Sequence, residues 1–167
     1  LLLRKYSLLE RYQSDPPRVI GWLQDLVSEQ VTMEEVHALA ELAEIEANWL
    51  RSRNKREPAA NMYSIAVIHS YQFLFAPGLD FKRNAYDPQF RSICDIYNRS
   101  LEGLLRQVVK DGHLLPGQTV VVGSGRSQFE FDIEIDGRWA AQEFERFELV
   151  NDYKTTGLDN QYHNYGL

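Results

Sequence analysis

The sequence predicts an α+β protein, an N-terminal antiparallel bundle of four to five helices followed by a small antiparallel β unit. Three observations predict it. Apolar residues recur at helical spacing through the first ~110 residues. From Leu114 the period changes to two, most clearly in the strictly alternating "SQFEFDIEID". Helices and strands come in consecutive blocks rather than in alternation, which is the α+β order. The corresponding domains are a helical bundle over 1–112, a hairpin or meander over 113–150, and an extended tail over 151–167 that leads toward a further domain.

The opening segment, Leu2 to Tyr12, is short and mixed. "SDPPRVIGWLQDLVSE" begins a better helix. Ser14 or Asp15 can cap it, and Pro16 and Pro17 suit a first turn, where the backbone N–H needs no partner. Val19, Ile20, Leu23, Leu26 and Val27 form its apolar face. "TMEE" then opens a helix with a capping box, Thr32 answered by Glu35, and this helix runs to about Asn54. Val36, Leu39, Ala40, Ala43, Ala47 and Leu50 make one stripe, widened by Leu42, Ile45 and Trp49. The next helix, from Pro58, is apolar nearly all round and is expected at the centre of the bundle, ending at "APG". Asp87 and Pro88 cap and open the last long helix. Its stripe is Phe90, Ile93, Cys94, Tyr97, Leu101, Leu104, Leu105 and Val108, and Gly112 ends it.

Short loops make such helices antiparallel hairpins. The pair at 32–54 and 58–75 has the size of a tetratricopeptide hairpin, but the chain has no self-similarity at a period of ~34, so a repeat array is not expected. In the β region, "QTVVVGS" is a β-branched run and "GSGR" the hairpin turn that follows it. Phe129, Phe131, Ile133 and Ile135 share one face of the next strand. Glu130, Asp132, Glu134 and Asp136 share the other. Asp136-Gly137 is a turn signal, and "FERFELV" reads as a third strand. The tail "NDYKTTGLDNQYHNYGL" is polar and dotted with tyrosines, and is expected to lie across another surface.

"TVVVGSGRSQF", Thr119 to Phe129, is the one stretch that invites a catalytic reading. A nucleophile elbow is G-x-S-x-G on a strand-to-helix turn. Here Gly123 and Gly125 stand directly beside Ser124, and Ser127 follows before a strand. Spacing and context both fail. A phosphate-cradling loop fails for the same reason, because it needs a helix N-terminus to supply its N–H groups. The stretch therefore reads as a turn.

The four histidines are His37, His69, His113 and His163. Glu34, His37 and Glu41 share one helical face at i, i+3 and i+7, a weak ligand set that reads better as a solvated face, since structural zinc usually takes cysteines or paired histidines. His69 is expected as a hydrogen-bonded core residue and His113 as a cation at a helix end; the residues suggest no role for His163. The carboxylates of "FEFDIEID" lack a glycine-hinged loop to wrap calcium and read as a solvated face. "NRS" at Asn98 matches a glycosylation sequon but falls in mid-helix. No catalytic, cofactor-binding or metal-binding residue is assigned, and no cofactor is expected.

Composition narrows the classes further. In 167 residues, 44% are hydrophobic and 12% aromatic, which suits a packed globular protein. Such a length buries about two-thirds of the unfolded surface. The formal charge of −6 argues against a nucleic-acid partner, which calls for a basic stripe. The dense basic cluster "RSRNKR", Arg51 to Arg56, lies at a helix end, where cations meet the negative pole of the dipole. The single cysteine, Cys94, excludes an internal disulfide and is expected as a buried, inert thiol. No run of ~20 apolar residues exists to span a membrane, and "LLL" is too short for a secretory core. Both ends, Leu1 and "HNYGL", look like cuts, so a fragment or a processed form is expected.

"YDPQFRSICDIYNRSLEGLLR", a small β region and then "FELVNDYKTTGLDNQYHNYGL" together resemble the N-terminal region of large bacterial α/β-hydrolase-like proteins, among them predicted lipases and envelope lipoproteins. The carrying residues are Tyr97, Asn98, Ser100 and Leu101, then Gly157, Leu158, Asn160, Tyr162, Gly166 and Leu167. The resemblance covers about Tyr63 to Leu167. It implies a parent serine hydrolase whose nucleophile falls after Leu167, so no catalytic residue is carried over to this chain. It also implies a bacterial source, with a cell-envelope location if the parent is a lipoprotein and a cytoplasmic one otherwise. The expected function is a non-catalytic accessory region that buttresses or covers a hydrolase core. Its expected partner is that core, in the same protein or another, and self-association is open. The alternative is a free-standing helical-hairpin interaction module. A small independent enzyme is a third reading, requiring Ser124, Ser127, His113 and His163 to meet in space.

Overall fold

The described part of the chain is helical through residue 108, and three of the helices begin at a side-chain cap. The computed structural model describes residues 2–29, 31–76, 86–108, 117, 119–123, 128–132, 134, 136–138, 143 and 149. Among them are a one-turn helix α1 (Leu2–Lys5) and five longer helices: α2 (Leu9–Ser14), α3 (Pro16–Glu29), α4 (Met33–Ser52), α5 (Arg56–Phe75) and α6 (Pro88–Val108). Two strands follow, β1 (Thr119–Val122) and β2 (Phe129–Asp132). The predicted α+β class and helical bundle are observed. The mixed opening segment resolves into α1 and α2, joined through Ser7 with φ of 53°.

The starts follow side-chain capping. Asp15 Oδ1 accepts the Arg18 N–H at 3.3 Å, so Asp15 rather than Ser14 caps α3. At α4 the Thr32 hydroxyl accepts the Glu35 N–H at 3.3 Å and donates to Glu35 Oε2 at 2.6 Å. At α6 the Asp87 carboxylate accepts the Gln89 N–H at 2.8 Å, and Pro88 fills the first turn. The α5 helix begins two residues before Pro58, at Arg56. Proline is tolerated this early because its missing N–H would lack an intrahelical partner anyway.

Helices α4, α5 and α6 form the centre. The α4–α5 connection is only Arg53–Lys55, with Asn54 in the left-handed region at φ of 58°. Such a short link forces an antiparallel hairpin. Tyr63 OH donating to Asn48 Oδ1 at 2.7 Å and His37 ringed against Phe73 mark its two ends. The α5–α6 pair is also antiparallel, with Tyr63 against Gly103 at one end and Tyr71 against Tyr97 toward the other. Helix α4 then runs parallel to α6, and Glu44 accepts two hydrogen bonds from Arg99, at 2.7 and 3.2 Å.

The core holds Val36, Leu39, Ala43 and Ala47 of α4, Tyr63, Ile65 and Phe73 of α5, and Ile93, Ile96 and Leu104 of α6. Ile20 and Leu23 add the α3 face. Two stripes sit differently from their sequence expectation. Ile45 and Trp49 do not widen the α4 core face; they are half exposed on its outer side. On α6 the inward line runs through Ile93, Ile96, Ser100, Gly103 and Leu104, and Cys94, Tyr97 and Leu101 lie half-buried at its edge. The cause is the small residues. Gly103 lets α6 approach the Tyr63 ring of α5, and buried Ser100 lies on the same inward line, with the larger side chains turned outward.

The strands pair antiparallel in the register Thr119 with Asp132 and Val122 with Phe129. Val122 is buried in the same cluster as the helices, and Val120, Phe129 and Phe131 pack against it. Glu130 and Asp132 face outward, as alternation requires. Gly112, Ile133, Ile135 and most of the proposed third strand lie outside the described residues, as does the 151–167 tail.

Candidate functional site

The serine-bearing stretch lies in sequence between two antiparallel strands. β1 ends at Val122, Gly123 takes φ of 86°, and β2 begins at Phe129 and pairs back onto β1. An antiparallel strand therefore follows within a few residues, where an elbow or a phosphate loop requires a helix. Ser124 and Ser127 themselves lie outside the described residues, as do His113 and His163. The meeting of those four residues that an independent enzyme would need is therefore outside the described structure.

The face expected on α4 is brought together. Glu34, His37 and Glu41 line one cleft of about 200 Å³ with Leu3, Ala38, Leu42 and Gln89. Helical spacing places the three titratable groups on the same side, and α1 and the start of α6 supply the opposite wall. The His37 ring packs edge-on to Phe73, with centroids 6.0 Å apart and planes at 66°. Its Nε2 is buried and has no hydrogen-bond partner among the described residues. Burial lowers the His37 pKa, and the Glu41 and Asp87 carboxylates oppose that shift. Neutral imidazole with two carboxylates could in principle ligate a cation. Among the described residues, however, no group of three or more His, Cys, Asp or Glu is arranged to hold a metal ion.

The remaining candidates have structural occupations. His69 Nδ1 sits 3.1 Å from Gln72 Oε1, and burial lowers its pKa. The basic cluster divides. Arg51 occupies the last turn of α4, while the Arg53 guanidinium lies 3.9 Å over the Trp49 ring. Arg56 reaches across to donate to the carbonyls of Arg106 and Gln107. The cluster thus serves two helix C-termini, its own and that of α6, because the antiparallel α5 begins where α6 ends. Cys94 is half-buried, and burial together with Asp95 pushes its thiol up, away from the reactive thiolate. Asn98 is half-buried in mid-helix and the Ser100 side chain of its sequon is fully buried. Asp132 Oδ1 accepts the Thr119 hydroxyl at 2.6 Å across the hairpin, which ties that carboxylate to its own sheet.

One surface feature was not foreseen. Helix α5 carries no Asp, Glu, Lys or Arg after Glu57. With α4 and α6 packed against it, it still exposes Ile68, Tyr71 and Phe75, at 37%, 55% and 48%. The Tyr71 ring stands 4.8 Å from Phe75 and 6.4 Å from Tyr97 of α6, so the two helices share an aromatic face. The signal was the helix's apolarity on every side, which exceeds what two flanking helices can cover. No described helix is long and apolar enough to cross a membrane. Comparison with protein-family models, with curated proteins and with solved structures gives no significant match.

Proposed function

We propose that this chain is a non-catalytic docking unit, a helical bundle that packs the shared face of α5 and α6 against another protein domain. The observation that supports it is the aromatic face of exposed Tyr71 and Phe75 with half-buried Tyr97, on an α5 that carries no Asp, Glu, Lys or Arg after Glu57. Contiguous exposed apolar side chains of this kind mark interaction surfaces, and aromatic residues are enriched at their energetic centres. A catalytic set is not assembled among the described residues, and His37, His69, the cysteine and the basic cluster have structural surroundings.

The partner we put first is an α/β-hydrolase-like core, in the same protein or another, with this chain as its N-terminal accessory region. The sequence resemblance supports that choice. A free-standing interaction module is the second reading, and the α4–α5 hairpin with its half-exposed Ile45 and Trp49 favours it.

Three measurements test these readings. Treatment of the chain with a serine-reactive fluorophosphonate, followed by mass spectrometry, is expected to give no adduct; a stoichiometric adduct on Ser124 or Ser127 would make the chain a hydrolase in its own right. The reading frame beyond codon 167 is expected to encode G-x-S-x-G between a strand and a helix. If it does not, the hydrolase partner is lost and the free-standing module is retained. The docking face is tested by Tyr71→Ser and Phe75→Ser, which are expected to abolish association with the partner domain and leave the helical circular dichroism intact.

A further inference from the structure

His37 occupies a junction with two dissimilar sides. On one side its ring meets Phe73 of α5, and Nε2 is enclosed without a hydrogen-bond partner among the described residues. On the other it borders the cleft that it lines together with Glu34 and Glu41 of α4, Gln89 of α6 and Leu3 of α1. The neutral ring suits the first side, where an unpaired nitrogen costs less than a charge does. An imidazolium ion does not, because both of its nitrogens become donors and the charge needs solvation or a counter-charge.

The charged groups around the ring favour one direction of escape. From α4 come Glu34 and Glu41, and from α6 comes Asp87, which lies within electrostatic reach. Helix α5 brings Phe73 and, one turn earlier, His69, whose Nδ1 is engaged by Gln72; it has no Asp, Glu, Lys or Arg beyond Glu57. Leu3 is the α1 side chain at the cleft. Glu34 and Glu41 line the cleft, Asp87 stands two residues before its Gln89, and a cleft of about 200 Å³ gives an imidazole room to turn.

We propose that His37 is a pH-driven switch: protonation turns its ring from Phe73 into the acidic cleft, where Glu41 and Asp87 accept its N–H groups. The consequence reaches the start of α6. Asp87 now caps that helix by accepting the Gln89 N–H at 2.8 Å. A carboxylate drawn toward the imidazolium gives up part of that bond, so the cap on the Gln89 N–H weakens while the helix stays wound, as Phe73 loses its ring neighbour. The switch couples the α4–α5 contact to the α6 cap and does not depend on the docking reading above.

Side-chain and amide NMR of the intact chain between pH 8 and pH 5 tests this. The His37 imidazole is expected to titrate below the ordinary midpoint of about 6.5. The Phe73 ring signals and the Gln89 amide are expected to shift at the same midpoint, with helical circular dichroism unchanged. Glu41→Gln, at an exposed position, is expected to lower that midpoint further. His37→Gln is expected to remove the shift at Phe73. The switch is overturned if Phe73 and Gln89 do not move with His37, if Glu41→Gln leaves the midpoint where it was, or if helix content falls at that midpoint, since protonation then unfolds the chain rather than rearranging it.

Discussion

Gly103 stands on the ring of Tyr63: a Cβ placed there would lie 2.5 Å from the ring carbon Cζ. Real Cβ contacts are not that short, so α5 and α6 approach as closely as they do because position 103 has no side chain. Tyr63 cannot retreat freely. It is fully buried, and its hydroxyl donates to Asn48 Oδ1 at 2.7 Å.

Gly103→Ala is therefore expected to destabilise the chain by about 1–3 kcal/mol, the usual cost of overpacking a filled core. The better helix propensity of alanine, worth about 1 kcal/mol, offsets only part of the clash. Urea unfolding measures it. A stability equal to the parent's would mean that the two helices are not locked at this contact.

Glu35 joins three segments. It accepts hydrogen bonds from the Thr32 hydroxyl at 2.6 Å and from Tyr6 OH at 2.5 Å, while its own N–H is capped by Thr32. Thr32→Ala removes the cap and one of the donors to a buried carboxylate. The expected loss is about 1–2 kcal/mol, a fall in Tm of roughly 2–8 °C for a chain of this size. Thr32→Ser keeps the hydroxyl and is expected to restore most of it.

The Glu44–Arg99 pair is unequal. The Glu44 side chain is 8% exposed and that of Arg99 59%. Arg99→Met is expected to be the more harmful change, costing about 1–3 kcal/mol, because it strands a buried carboxylate. Glu44→Leu removes the charge that needed a partner and leaves Arg99 to water, so it is expected to cost less. The order of the two values in urea unfolding decides the matter; the reverse order would show that water reaches Glu44.

His37 and His69 both have pKa values lowered by burial. The fold therefore binds fewer protons than the unfolded chain between the lowered values and the ordinary 6.5 or so. Stability is full above that ordinary value and falls as pH drops through the window beneath it. Glu46, whose pKa burial raises, acts with the opposite sign: protonation favours its folded form, so its contribution improves as pH falls through its raised value. The denaturation midpoint in urea is expected to be lower at pH 5.5 than at pH 7.5. The double variant His37→Asn, His69→Asn is expected to flatten that difference.

Much of the helical framework was legible from short-range chemistry. Thr32 with Glu35 and Asp87 with Pro88 fixed two helix starts, since a cap acts within three or four residues. The buried stripe of α4 from Val36 to Leu50 followed from the 3.6-residue period, and the outward Glu130 and Asp132 from the alternation of a strand. The Glu34–His37–Glu41 face was legible as a face for the same reason.

What the residues around each position could not supply was the identity of the neighbour. Glu34, His37 and Glu41 became a cleft only when α1 and the start of α6 closed its far side. Arg56 was visible as a cation at a helix end, but the end it serves belongs to α6, fifty residues on. Phe90, Cys94 and Tyr97 looked like the core stripe of α6 until the contact of Gly103 with Tyr63 turned that helix by a fraction of a turn and left Tyr97 beside the exposed Tyr71. Local order is set by hydrogen bonds and side-chain spacing within one or two turns. The rotation of one helix against another is set by which side chains leave room, and that is decided only when the helices meet.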